Sequence, residues 1–261
     1  MTGELSPIDR AKFVAAKKAV EFIEDGMRVG MGTGSTAAWM VKCLGERVRD
    51  EGLKITAVPT SSRTAKQAAE VGIKVSTLDE AKWLDLTIDG ADEFDADLNL
   101  IKGGGGAHLQ EKIVAAASDQ MLVIADASKS VEQLGAFPLP VEVIPFGGQA
   151  SRRLIEEMLE DMDVDGRIAS LRMNGDVPFV TDEGNHILDL NLRRIGNPVA
   201  LSARLNQIPG VVENGLFIDI CDAVVIGHGD GRCEVLDLSG NFNGGSQADG
   251  AGDNLFSELE D

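Results

Sequence analysis

Asp89 and Asp92 in "DGAD", Lys102 at the head of "KGGGG" and Glu111 in "LQEK" all fall within residues 85–117. Carboxylates, a cation and a bare backbone so close in sequence suit three kinds of site: a metal centre, a phosphate cradle, or a set of proton-transfer groups around a small anionic substrate. Two carboxylates three residues apart can chelate Mg²⁺ or exchange protons with sugar hydroxyls. A lysine beside glycines suits a developing oxyanion. Glu111 can act as a base, or simply cap the helix it stands near, because acids favour the first turn. Asp95 and Asp97 read as solvated loop acids.

A second stretch, "GMGTGSTAA" at residues 30–38, has the composition of an anion site. Its glycines let backbone approach an anion, and Thr33, Ser35 and Thr36 add hydroxyls to the N–H groups of a helix start. No Gly-Lys-Ser/Thr follows, so it is not a nucleoside-triphosphate loop, and Ser35 stands where G-x-G-x-x-G has its third glycine.

These motifs need a scaffold that presents them at strand ends. The N-terminal part reads as a helix over 7–24, strand "MRVGMG", helix "STAAWMVKCLGERVRDEG", strand "KITAVPT", helix "SRTAKQAAEVG", and strands "IKVSTL" and "LDLTIDGAD". Helix "LQEKIVAAASDQ" and strand "MLVIADAS" follow the glycines. Such alternation predicts βαβ units on a mostly parallel, Rossmann-like sheet, with ligands at the strand ends. "PLPVEVIP" breaks the rhythm and reads as an extended segment leaving the first domain. Beyond it, helices "QASRRLIEEMLEDM" and "NPVALSARLNQIPG" flank strands "RIASLRM", "VPFVTD" and "HILDLNL", the pattern of a smaller α+β domain. The expected division is an α/β catalytic domain over 1–138 and 212–237, a second domain over 139–211, and a disordered acidic tail over 238–261.

Bulk properties exclude several classes. The chain has 261 residues with 43% hydrophobic, enough for a sizeable core. No apolar run approaches the roughly 18 residues of a membrane span, and "MTGELSPIDRAKF" has no signal-peptide pattern, so a soluble cytoplasmic protein is expected. A net charge of −19 repels nucleic acid and anionic membranes, and fits either adaptation to high salt or a mildly acidic cytosolic protein with an acidic tail. Cys43, Cys221 and Cys233 form no C-x-x-C pair and read as reduced packing residues; His108, His186 and His228 are dispersed. Nothing marks a transition-metal site.

Four motifs in register, "GTGSTA", "DGADE", "KGGGGA" with "QEKI", and "ADASKSVEQLGAFPLPVEVIPF", resemble the type A ribose-5-phosphate isomerases from the first helix to about Val235. The resemblance implies an aldose–ketose isomerase that interconverts ribose 5-phosphate and ribulose 5-phosphate through an enediolate, without metal or nicotinamide. It implies Glu111 as general base, Asp89 and Asp92 as carboxylates for the sugar hydroxyls and ring opening, and Lys102 as the cation for the enediolate oxygen. Substrate binding would fall to Thr33, Gly34, Ser35 and Thr36, to Gly90 and Ala91 between the two aspartates, to Gly103, Gly104 and Gly105, to Lys129, and to Lys12 as phosphate ligand on the first helix. A homodimer or homotetramer is expected. Many members carry "KGGGAALTREK"; here Gly106 is expected to loosen the loop, and His108 and Gln110 replace an apolar and a basic residue, His108 in a peripheral role. A non-catalytic sugar-phosphate sensor is the alternative, disfavoured because the whole catalytic set is present and no N-terminal helix-turn-helix extension is seen.

Overall fold

The computed structural model describes residues 5–238; the acidic tail expected beyond them lies outside the described residues. Ser6 opens the first helix, α1 (Pro7–Val20), by accepting the Asp9 N–H at 3.1 Å, and Pro7 takes a position where no N–H is needed. The chain continues through β1 (Arg28–Met31), α2 (Ser35–Asp50), β2 (Thr56–Pro59), α3 (Ser62–Glu70), the short α4 (Leu78–Ala81) and β3 (Leu86–Gly90). β4 (Glu93–Phe94) and β5 (Leu100–Ile101) precede α5 (His108–Ala116), and β6 (Met121–Asp126) runs into a 3-10 turn, Ala127–Lys129. Next come β7 (Leu139–Val143), α6 (Gly148–Met158), β8 (Ile168–Leu171), β9 (Met173–Asn174), β10 (Val177–Pro178) and β11 (His186–Asn191). α7 (Pro198–Leu205), β12 (Val211–Asn214), β13 (Leu216–Phe217), β14 (Ala223–Gly227) and β15 (Cys233–Asp237) complete it.

Two compact units result. The first holds the chain through Gly90, Ile113–Lys129 and the chain from Cys221. Its six-stranded sheet has the order β15-β14-β6-β3-β1-β2, parallel except for the antiparallel edge strand β15. All six residues of β6 are buried, as expected for a parallel strand covered on both faces. Ala15 and Ala19 of α1 and Met40 and Leu44 of α2 join Val29, Ile88, Leu122 and Ile124 in its core. This is the α/β, mostly parallel sheet that the alternation predicts.

The second unit holds Ala91–Lys112 and Ser130–Ile220. An antiparallel sheet, β12-β7-β11-β8, buries Val141, Val143, Leu188 and Leu190 with Ile155 and Leu159 from the α6 segment and Leu201 and Leu205 from α7. A smaller sheet, β13-β5-β4, carries the segment that leads to Lys102. That pairing groups residues 91–112, 130–138 and 212–220 with this unit, whereas the sequence split assigns them to the first.

Three elements depart from the sequence reading. "IKVSTL" keeps only one bridge, Val75 to Ala57, because Thr77 and Glu80 form a reciprocal capping box that starts α4. "PLPVEVIP" is a central strand rather than a connection: β7 pairs with both β11 and β12. Pro140 is tolerated one residue past the β12 ladder, where its missing N–H breaks no bond on that side, while its carbonyl accepts from Gly215 N at 2.8 Å. "VPFVTD" contributes only Val177–Pro178 to a two-residue ribbon.

Candidate active site

In the first unit, β1 and β3 are parallel neighbours, which sets the turn after Met31 beside Asp89. A Cβ on Gly32 would stand 1.9 Å from Asp89 Oδ1, so only glycine lets the turn lie against this carboxylate. Asp89 is fully buried, and its Oδ1 accepts from the N–H groups of Thr33 at 3.1 Å and Gly90 at 2.7 Å. Gly34, with φ +121°, is the N-cap of α2. Lys12 reaches from α1 to donate to Ser35 Oγ at 3.0 Å, bringing a cation to the positive end of the α2 dipole. Lys18, farther along the same helix, pairs with Glu21 at 2.7 Å. Thr36 lies against Gly90: a Cβ there would be 3.9 Å from Thr36 Cβ. Lys129 closes the turn after β6, half-buried; among the described residues no hydrogen bond or ion pair joins it to the other candidates.

A group of hydroxyls behind Thr33 is absent from the sequence reading. Thr33 Oγ1 lies 2.8 Å from Thr60 Oγ1, 2.7 Å from Ser61 Oγ and 3.1 Å from Thr64 Oγ1, and Thr64 in turn donates to Gly32 O at 3.0 Å. Their signal is the hydroxyl run "TSSRT" at a strand end, which reads there only as a helix start.

In the second unit, Lys102 leaves β5 and donates its backbone N–H to Gly215 O at 2.8 Å. Its Nζ stands 3.2 Å from Glu111 Oε2, and both side chains are 3% exposed. The ring of Phe217 lies 5.3 Å from that ammonium. Glu111 shares the buried face of α5 with His108, Val114 and Ala115, the i, i+3, i+4 spacing of one helix side. A buried ion pair contributes little net stability because both charges lose water; what this one does is hold a carboxylate against a cation away from solvent. Asp92 Oδ2 accepts from Gly104 N at 2.7 Å, tying the carboxylate to the glycine loop.

Other acids in the stretch are structural. Glu93, buried, accepts from the N–H groups of Gly135 at 2.7 Å and Phe137 at 2.5 Å. Asp95 is not a solvated loop acid: it accepts from Asp97 N at 3.0 Å and Asn99 N at 2.9 Å and so shapes its own turn, while Asp97 is exposed. Gly106 does not loosen its loop. With φ +78° it closes a turn, donating to Gly103 O at 3.0 Å, and the Phe179 ring packs where a Cβ would stand. Gln110 hydrogen-bonds Glu183. His108 is fully buried against Gly103, and its Nε2 lies 4.0 Å from Glu142 Oε2. Glu142 Oε1 accepts from Thr181 Oγ1 and Asn185 Nδ2, each at 2.9 Å. Burial, with Lys112 nearby, pushes the His108 pKa down to about 3, and burial raises that of Glu142.

The second unit thus holds the Glu111 carboxylate against the Lys102 ammonium and the Asp92 carboxylate against a loop amide; taken by itself, the first unit holds a lysine at a helix N-terminus and a buried carboxylate. Among the described residues no group of three His, Cys, Asp or Glu could hold a metal ion, and no helix is long and apolar enough to cross a membrane.

Comparison with known proteins identifies relatives along the whole chain. The family model for ribose 5-phosphate isomerase A (phosphoriboisomerase A) matches residues 56–231. The chain is 71% identical to a ribose-5-phosphate isomerase A of Ruegeria pomeroyi and 67% identical to one of Jannaschia sp., each over the whole of both chains. A solved D-ribose-5-phosphate isomerase in complex with phospho-erythronic acid superposes with a TM-score of 0.82 at 41% identity, covering 88% of this chain and 99% of that one. The ribose 5-phosphate isomerase of Plasmodium falciparum gives 0.83 at 34% identity with the same coverage.

Proposed function

We propose how this chain, which belongs to the ribose 5-phosphate isomerase A family, interconverts ribose 5-phosphate and ribulose 5-phosphate: Glu111 carries the proton between C2 and C1, and Lys102 steadies the charge left on oxygen. In the open-chain aldose the C1 carbonyl acidifies the C2–H bond. Glu111 takes that proton, the electron pair moves into a C1–C2 double bond, and negative charge gathers on the former carbonyl oxygen as an enediolate. Return of the proton to C1 and transfer of the proton from the C2 oxygen to the C1 oxygen leave the ketone with its C1 hydroxyl. Atoms and electrons balance without an external oxidant. Asp89 and Asp92 exchange protons with the sugar hydroxyls and assist ring opening.

Binding falls to the remaining groups. Lys12, Gly34, Ser35 and Thr36 hold phosphate at the α2 N-terminus, where backbone N–H groups and the helix dipole favour an anion. Thr33, Gly90, Ala91, Gly103, Gly104, Gly105 and Lys129 contact the rest of the substrate. Fixing the phosphate orients the reacting carbons, which lowers the entropic part of the barrier.

The observation that carries these roles is the 3.2 Å pair of Lys102 and Glu111, both buried. A sensor that only bound sugar phosphate would have no use for a base placed against a cation in the interior. We further infer a cytoplasmic protein and a homodimer or homotetramer. The three cysteines are free thiols, and Ile144, Phe146, Leu154 and Ile168 expose apolar surface that self-association would cover. The −19 charge opposes a nucleic-acid partner.

Glu111→Gln tests the central role. It keeps size and hydrogen bonding but removes the base, so kcat should fall about 10²- to 10⁴-fold, with exchange of the C2 proton into deuterated solvent falling in parallel. Excess EDTA should leave the parent rate unchanged. A Gln variant near the parent rate would remove Glu111 from the chemistry, and chelator inhibition reversed by Mg²⁺ would move oxyanion stabilisation from Lys102 to a metal.

A further inference from the structure

We propose that Arg172 is a positioning residue for this reaction: anchored on Asp189, it fixes the peptide groups of residues 103–105 and, through one of them, the Asp92 carboxylate. This rests on the roles given above to Asp92 and to the glycine loop.

Arg172 lies between β8 and β9, with its backbone tied on both sides. Its N–H donates to Ile187 O at 2.8 Å, and its carbonyl accepts from Phe179 N at 2.9 Å. The guanidinium forks onto Asp189 of β11, Nε to Oδ2 at 2.9 Å and Nη2 to Oδ1 at 2.5 Å. Nη1, the remaining arm, donates to Gly103 O at 2.8 Å and to Gly104 O at 3.3 Å. The planar fork is rigid, so engaging two of its nitrogens on Asp189 leaves the third aimed in one direction. Phe179 adds a platform: its ring centroid is 5.9 Å from Arg172 Cζ, and the same ring packs against Gly106.

Glycine backbone has more freedom than any other, and four glycines in a row would sample many arrangements if nothing held them. A trans peptide is planar, with its C=O and N–H pointing opposite ways. Capturing Gly103 O therefore turns the Gly104 N–H away from Arg172, and on that far side it meets Asp92 Oδ2 at 2.7 Å. Capturing Gly104 O turns the Gly105 N–H the same way. One cation thus orients both the hydrogen bond that holds Asp92 and the amide that follows it. Asp189 balances the guanidinium charge, so Arg172 acts through geometry rather than as a second cation for the substrate.

The test compares Arg172→Met, Arg172→Lys, Asp189→Asn, Asp92→Asn and the double variant Arg172→Met/Asp92→Asn. Measured are kcat, KM, Tm and the ratio of C2-proton exchange to turnover with ribose 5-phosphate. Arg172→Met should lower kcat about 10- to 100-fold and change KM less, since small misplacement of a working group costs that much. Its exchange-to-turnover ratio should rise, as in Asp92→Asn, because Glu111 still removes the carbon-bound proton while hydroxyl proton transfer lags. Arg172→Lys keeps the charge without the fork and should recover only part of the rate. The double variant should turn over within about threefold of Asp92→Asn, since both changes remove one unit of function. Parental kcat in Arg172→Met, or a double variant as slow as the product of the singles, would overturn the proposal. Should Arg172→Met not fold, Arg172→Lys and Asp189→Asn decide by the same two readouts, parental values overturning it. Asp92→Asn at the parental rate would instead sink the reading of the site itself, whereas a slow Asp92→Asn beside a fast Arg172→Met sinks only the clamp.

Discussion

Glu111 and His108 stand one turn apart on the buried face of α5, yet their surroundings differ. Glu111 faces Lys102 at 3.2 Å, while His108 has Glu142 at 4.0 Å and a setting that holds its pKa to about 3 through burial. This depression makes His108 a source of acid lability. The native state keeps the ring neutral, but the unfolded chain takes a proton below its ordinary pKa of about 6.5. Stability that is full above about pH 6.5 is therefore lost as pH falls toward 3, at about 1.4 kcal/mol per pH unit. Glu142 has the opposite sign: its raised pKa lets the native state hold the proton, so its contribution fades as pH rises through that value. His108→Leu should remove the histidine limb, losing about 2.5 kcal/mol less than the parent between about pH 6 and pH 4 in urea unfolding at each pH. Equal acid sensitivity in both proteins would show that His108 does not titrate in this way.

At the scale of elements, the strand-to-helix turn between β1 and α2 separates two kinds of glycine. Gly32 is required by contact, since a Cβ there would meet Asp89 Oδ1 at 1.9 Å; Gly34 is required by conformation, with φ +121° and open space around it. Gly32→Ala should displace Asp89 and lower kcat about 10²-fold in a protein that still melts cooperatively. Gly34→Ala should cost about 1–3 kcal/mol of stability, because φ +121° with ψ −178° is backbone that only glycine adopts readily. The reverse ranking, seen in kcat and in thermal melts, would mean that Asp89 moves aside freely. This turn is also where the sequence is most legible. Strand, glycine turn and helix follow from periodicity and composition, and Asp89, Asp92, Lys102 and Glu111 lie in short motifs with fixed spacing. What escapes sequence reading arrives across the fold. Arg172 reaches Gly103 over 69 positions and Glu142 nears His108 across 34, and neither stands in a pattern that marks it. β7 is hidden for a different reason: its prolines mimic a linker, and only the register with β11 and β12 shows that Pro140 falls where a lost donor does no harm.

For the whole molecule the dominant quantity is the net charge of −19, which must coexist with a dianionic substrate. The cations that meet the substrate in the proposed roles, Lys12, Lys102 and Lys129, act at contact distance, while the acidic excess acts at long range. Salt separates the two. Raising NaCl from about 10 to about 150 mM shortens the Debye length from roughly 30 to roughly 8 Å, which screens distant acids well before it screens a buried pair such as Lys102 and Glu111. Over that range kcat/KM should rise about two- to fivefold with kcat flat, because substrate approach is no longer repelled by the acidic surface. Thermal stability should rise with it, by about 2–4 °C for each kcal/mol of self-repulsion relieved in a chain of this size. Sucrose at matched osmolality should leave kcat/KM unchanged, since it adds no ions. A steady fall in kcat/KM with NaCl would show instead that the lysines at the α2 N-terminus and the glycine loop govern substrate capture, and that the acidic surface is too distant to be felt.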